Sequence, residues 1–82
     1  MTNEDVVRAW AWGRPLSSKH LITDGNNLFS YNLKIGYTVG NTKIVYDYTA
    51  EHDNFVSMTT SHHVGLAKRY SDRININPPR LR

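Results

Sequence analysis

Between Leu28 and Thr49 the apolar residues recur at every second position, a period that an antiparallel sheet accommodates and a helix does not. Phe29, Tyr31, Leu33, Ile35, Tyr37 and Val39 take the odd positions, with Ser30, Asn32, Lys34, Gly36 and Thr38 between them. Successive strand side chains point to opposite faces, so Leu28 to Val39 predicts one half-buried strand, bent near Asn32 because it exceeds the usual length. Gly40-Asn41 is a two-residue turn that tolerates positive φ, and Thr42 to Thr49 alternates again with Ile44, Tyr46 and Tyr48 on the even positions. A two-residue loop sets the register. It places Tyr37 opposite Ile44, Ile35 opposite Tyr46 and Leu33 opposite Tyr48, and on the other face Lys34 opposite Asp47. A slip of one residue would set Tyr and Ile against Lys and Asp. The Tyr/Ile face is the longest apolar one, so it is the face expected to hold the core and both helices.

The flanking segments read as two short helices and two further strands. Asn3 to Trp12 predicts a helix capped by Thr2 or Asn3, with Glu4 and Asp5 at its positive end, Val6, Val7 and Trp10 inward, and Gly13 and Pro15 as its stop. So short a helix is marginal alone, which requires Trp10 to dock on the sheet, while Trp12 falls on another side. Leu21-Ile22-Thr23 before Asp24-Gly25 predicts a strand and a tight turn, with Leu21 facing Leu28 or Phe29 according to loop length. Phe55 to Met58 predicts the next strand and Ser61 to Tyr70 the second helix, capped by Thr59, Thr60 or Ser61, with His63, Leu66, Ala67 and Tyr70 as its inward stripe. Ile74 to Asn77 can be an edge strand, and Pro78-Pro79 then excludes helix. The predicted class is α+β: a small antiparallel sheet of three to four strands around the hairpin 33–48, with an N-terminal and a C-terminal helix. Residues 1–77 form a single domain and 78–82 a basic arm.

At 82 residues the chain has room for one core, and a homodimer is one expected way to add buried area. Without cysteine it offers no disulfide, thiolate metal site or cysteine nucleophile, and no apolar run approaches the roughly 20 residues of a membrane span. The N-terminus begins with acids and carries no recognisable export signal, so a cytoplasmic setting and no membrane partner are expected. The net charge of +3 is unevenly placed: residues 1–67 balance to −1, whereas Lys68, Arg69, Arg73, Arg80 and Arg82 against Asp72 give the C-terminus +4. Such an end is a candidate contact for phosphate or for an acidic partner. Thr59-Thr60-Ser61-His62-His63 gathers hydroxyls and imidazoles at a helix start, either as an anion site or, the simpler reading, as a cap with His63 hydrogen-bonded in the interior. His20, His52, His62, His63, Glu51 and Asp53 show no zinc-type helical spacing, so no metal and no cofactor are expected. No nucleophile elbow, phosphate loop or spaced carboxylate pair occurs, which argues against an enzyme. Tyr31, Tyr37, Tyr46 and Tyr48 could stack on unpaired bases only if a helix leaves their face open.

Two stretches, His20 to Tyr37 and Phe55 to Leu66, carry a further signal. Leu21, Thr23, Asp24, Gly25, Leu28, Ser30 and Tyr31, followed by Ser57, Thr59, Thr60, Ser61 and His63, resemble a family of small uncharacterised domains encoded by phages and related mobile elements. That family shows an N-L-x-T-D-G-x-x-L-x-S-Y element and an S-x-T-T-S-x-H element. The resemblance implies a viral accessory protein in a host cytoplasm and no established activity. Two functions follow as expectations: nucleic-acid binding through Lys68, Arg69, Arg73, Arg80 and Arg82 with the TTSHH helix start, or capture of a host protein such as a defence or transcription component. A histidine-dependent hydrolase is a minority reading.

Overall fold

The structure is a computed structural model and describes residues 2–48 and 58–77. Two helices, α1 (Asn3–Ala11) and α2 (Met58–Lys68), accompany six strands: β1 (Pro15–Ser17), β2 (Leu21–Asp24), β3 (Leu28–Ser30), β4 (Leu33–Val39), β5 (Thr42–Tyr46) and β6 (Arg73–Asn75). The strands lie in sequence order in one sheet, each antiparallel to the next except for β6, which adds parallel to β5 after the α2 crossover. The class is α+β as the patterning indicates, but the sheet is mixed and six-stranded rather than antiparallel with three to four. β1 carries a proline and a single apolar residue, too weak a pattern to register as a strand.

The long alternating segment is not one strand. Tyr31, at φ 57°, and Asn32 turn the chain, so β3 and β4 form a hairpin of their own with Ser30 opposite Leu33. A β-bulge follows: Leu28 faces Gly36 and Phe29 faces Lys34, leaving Ile35 as the extra, fully buried residue. The β4–β5 register is the expected one from Val39↔Thr42 through Tyr37↔Ile44 to Gly36↔Val45, where the ladder stops short of the expected pairs Ile35 with Tyr46 and Leu33 with Tyr48. The bulge cancels the pairing of Lys34 with Asp47; Lys34 stands beside Phe29, and Asp47 pairs with Lys68 of α2. Between β2 and β3 Leu21 faces Ser30, not Leu28 or Phe29. α2 begins at Met58, ahead of the sequence-based start at Ser61, so Thr59, Thr60 and Ser61 lie in its first turns instead of capping it. The rest of the strand expected at Phe55 to Met58 lies outside the described residues, as does the arm from Pro78.

Which sheet face is covered is the larger correction. Both helices pack on the face formed by Leu21, Thr23, Leu28, Ser30, Gly36 and Val45, while Tyr37, Ile44 and Tyr46 have the opposite phase. The cause is Trp10. A Cβ at Gly36 would meet the Trp10 ring at 2.9 Å and Leu28 Cβ at 3.2 Å, so the bulkiest side chain of α1 lies on the one strand position that has none. Alternation reports two faces; it does not report which of them a tryptophan can reach. Thr2 caps α1 through a reciprocal bond with Asp5, and Val6, Val7 and Trp10 are its buried residues, with no exposed surface.

Trp10 also organises the β2–β3 loop. Its Nε1–H donates to Asn26 O at 3.0 Å, a carbonyl that also accepts from Thr38 Oγ1, while Lys43 Nζ donates to Gly25 O at 2.9 Å and Thr23 Oγ1 to Asn27 O at 2.7 Å. The Asp24 carboxylate accepts from the Asn26 and Asn27 amides. Gly25 holds φ 102° with its missing Cβ 2.8 Å from Gly13 O, so any side chain there would strike backbone. Truncating Trp10 removes the core's largest side chain and a loop hydrogen bond together. Trp10→Ala should cost about 3–5 kcal/mol and largely unfold so small a domain, and Gly36→Ala should destabilise by about 1–3 kcal/mol through overpacking. Urea titration followed by circular dichroism measures both; parental midpoints would mean α1 is an appendage.

Candidate functional site

The TTSHH run and the end of β3 meet in the interior. α2 turns Thr60, His63, Val64 and Ala67 inward, at i, i+3, i+4 and i+7, and these four are its buried residues. Ser30, fully buried at the end of β3, has its Oγ 2.6 Å from His63 Nδ1 and 3.3 Å from Thr60 Oγ1. On the far side of the ring Asn3 Nδ2 lies 3.2 Å from His63 Nε2, and Asn3 Oδ1 accepts from Ser18 Oγ at 3.0 Å. Thus α1, β3 and α2 are joined by one polar chain through the imidazole.

A serine, a histidine and an asparagine in line invite a nucleophilic reading, and the hydrogen bonds argue against it. With the Asn3 amide nitrogen placed toward Nε2, that nitrogen accepts and the ring proton sits on Nδ1, facing Ser30. A general base would instead accept the serine proton. Burial pushes the His63 imidazole below its ordinary value of 6.5, and His20 and His62 add to the shift, so the ring is neutral at neutral pH. The imidazole here orders three elements, and Ser30 has no exposed surface for a substrate to reach.

Residues expected at the surface fall in separate places. Asn3, Ser61, His62, His63, Leu66 and Arg69 border an open groove of about 540 Å³ between the helix starts and the α2 flank. Thr59 and His62 are exposed beside it, but Thr60 and His63 point away from solvent, which leaves little of an anion site. Lys68 is committed elsewhere: its Nζ is 2.8 Å from Asp47 Oδ1, a buried carboxylate. Arg69 is exposed on the helix side, whereas Arg73 is exposed on β6 in register with Ile44, on the helix-free face. Arg80 and Arg82 lie outside the described residues, as do His52, Glu51 and Asp53. Among the described residues, Lys68, Arg69 and Arg73 are therefore not gathered on one surface.

What sequence reasoning missed is the helix-free face itself. It carries Ile22, Phe29, Lys34, Tyr37, Val39, Ile44 and Tyr46, bordered by Arg73 and Asn75 on β6. The Tyr37 and Tyr46 ring centroids are 4.9 Å apart, Lys34 Nζ stands 5.9 Å from the Tyr37 ring, and Asn75 Nδ2 donates to Tyr37 Oη at 3.2 Å. The alternation held this signal, but assigning that face to the core concealed it. No family model, no curated protein and no solved structure matches this chain.

His63 gives a pH test of the interior. Because its folded value lies below 6.5, the unfolded chain takes up a proton at higher pH than the folded one does. Stability should therefore fall as the pH drops through about 6.5 and level off below the folded value. His63→Gln, which retains an amide for Ser30 and Asn3 but cannot titrate, should be less stable at neutral pH and should flatten that slope. Because His20 and His62 stay in the variant, the difference in urea midpoints across this range reports His63 together with its coupling to those two rings.

Proposed function

We propose that this chain is a small non-enzymatic accessory protein that binds nucleic acid, with the helix-free sheet face as its contact surface. The observation that carries the reading is a row of rings with cations on the same face: Lys34 Nζ stands 5.9 Å from the Tyr37 ring, and Arg73 lies in register with Ile44 at the β6 edge. In sequence the basic residues Arg80 and Arg82 follow β6, so they add positive charge after the strand that carries Arg73. The resemblance to phage-encoded domains supports an accessory role in a host cytoplasm. Lys68, held by Asp47, has a structural part in this reading, and Arg69 lies on the other side of the sheet.

Capture of a host protein is the second reading, favoured by Ile22 and Val39, which are exposed on the same face. Salt separates the two. A nucleic-acid complex should weaken steeply with ionic strength, and Arg73→Ala and Lys34→Ala should each reduce the log–log slope by roughly 0.7–0.9. Lys68→Ala should lower stability and leave that slope in place. Fluorescence anisotropy with labelled DNA and RNA measures the slopes; an absence of binding at low salt overturns the nucleic-acid reading and leaves protein capture ahead.

A further inference from the structure

We propose that the ligand of the helix-free face is single-stranded nucleic acid, DNA or RNA, whose unpaired bases stack on Phe29, Tyr37 and Tyr46 while Lys34 and Arg73 neutralise its phosphates. The inference rests on the nucleic-acid reading above and names the form of ligand that this face can take.

The phase of the sheet is its first support. Ile22 pairs with Phe29, Phe29 with Lys34, Tyr37 with Ile44, Ile44 with Arg73 and Tyr46 with Asn75, all opposite in phase to the residues under α1 and α2. Half-buried aromatic side chains are thus carried by three strands of one face, Tyr46 at its core-side margin where it also packs against the core. A base pair inside a duplex offers no free ring face to such a row, and reading a major groove takes a helix or a narrow ribbon that can enter it. A broad sheet face presents neither. Unpaired bases each have a π-face, and stacking on a sheet is tolerant of sequence.

Preorganisation is the second support. Tyr37 is held from both sides, by the Tyr46 ring at 4.9 Å and by the Asn75 amide at its hydroxyl, and Tyr48 braces Tyr46 edge-on at 6.0 Å. A platform whose rings are already fixed loses little conformational freedom when a base arrives.

Charge is the third. Lys34 and Arg73 lie on the face of the rings, and among the described residues the acid of the same phase, Asp24, lies at the end of β2 with its carboxylate occupied by the Asn26 and Asn27 amides. A polyanion complements that arrangement. A second copy of the chain would bring like charges together, and an apolar protein surface would strip water from two cations without pairing them.

The test uses fluorescein-labelled single strands of mixed sequence, about 12 nucleotides long, as DNA and as RNA, with the corresponding DNA duplex as the competing arm. The single strands should bind about ten-fold or more tightly than the duplex. Tyr37→Leu, which keeps apolar bulk without the ring, should weaken single-strand binding by ~10-fold, the scale of one lost stack, and Tyr37→Phe should restore it. Amide chemical shifts of the unmodified protein serve as a readout that needs no variant: perturbations should centre on Phe29, Tyr37, Ile44 and Tyr46. Equal binding of duplex and single strand, or a Tyr37→Leu protein that folds and binds as the parent does, would each overturn the stacking site and leave the nucleic-acid reading standing; shifts confined to Arg69 and the C-terminal residues would overturn the stacking site and also move nucleic-acid binding off this face. No binding of any oligonucleotide at low salt would overturn both.

Discussion

Trp10 and Gly36 make the contact on which the other packing depends. The indole lies where β4 has no side chain, donates its N–H to the β2–β3 loop, and has the Lys43 ammonium 5.5 Å from its ring. A nine-residue helix has too few internal hydrogen bonds to hold itself together in water, so this docking also makes α1 a helix. Lys43 is the polar counterpart. Burial lowers its pKa, Asp72 and Asp24 act in the opposite direction, and its donors go to Gly25 O and Thr38 Oγ1. Its backbone is tied to Asp72 as well, through Lys43 N to Asp72 Oδ2 at 2.8 Å and Asp72 N to Lys43 O at 2.7 Å, which guides the chain from α2 into β6.

A second interior, polar instead of aromatic, joins the opposite end of the sheet to both helices. Ser30, His63 and Thr60 hold one another in a buried chain that Asn3 extends to the surface, and among the described residues no buried side-chain nitrogen or oxygen lacks a partner. Such a network carries geometric specificity because each member needs the others in place. It also accounts for several residues that first drew attention as motifs. Thr23, Asp24 and Gly25 build the β2–β3 loop, and Ser30, Thr60 and His63 connect β3 to α2. These motif residues are occupied by the fold, so they leave the surface chemistry to others.

That division of labour separates the two sheet faces. The covered face holds Trp10, Val45 and the polar chain; the other carries Phe29, Tyr37, Ile44 and Lys34, with Tyr46 also packed against the core. The bulge at Ile35 maintains the separation. It takes up one residue, so Leu33, opposite Ser30, and Tyr37, opposite Ile44, fall on different faces although they share the odd-position alternation of the sequence. Without that extra residue the row of tyrosines would continue the face on which Leu33 lies.

The sequence by itself determined the local elements: the turn at Gly40-Asn41, the register of Tyr37 with Ile44, and the inward Trp10 of α1, while it narrowed the α1 cap to Thr2 or Asn3, His63 to an interior or an anion-binding place, and Ile74 to a candidate edge strand. Each depends on spacing between close neighbours, and period and turn chemistry report spacing directly. Tertiary structure alone decided the rest. A two-residue period has the same form whichever face is covered, and the choice fell to a long-range contact between Trp10 and a glycine that the pattern treats as a gap. The bulge at Ile35 and the turn at Tyr31 leave the odd-position alternation intact in the sequence while reversing its meaning in space. The partners of His63, at Asn3 and Ser30, are remote in the chain, and no local rule brings them together. The C-terminal cations read as one cluster in sequence, yet Lys68, Arg69 and Arg73 go to an ion pair, a groove and the opposite sheet face, because a helix end and an edge strand point consecutive residues in different directions.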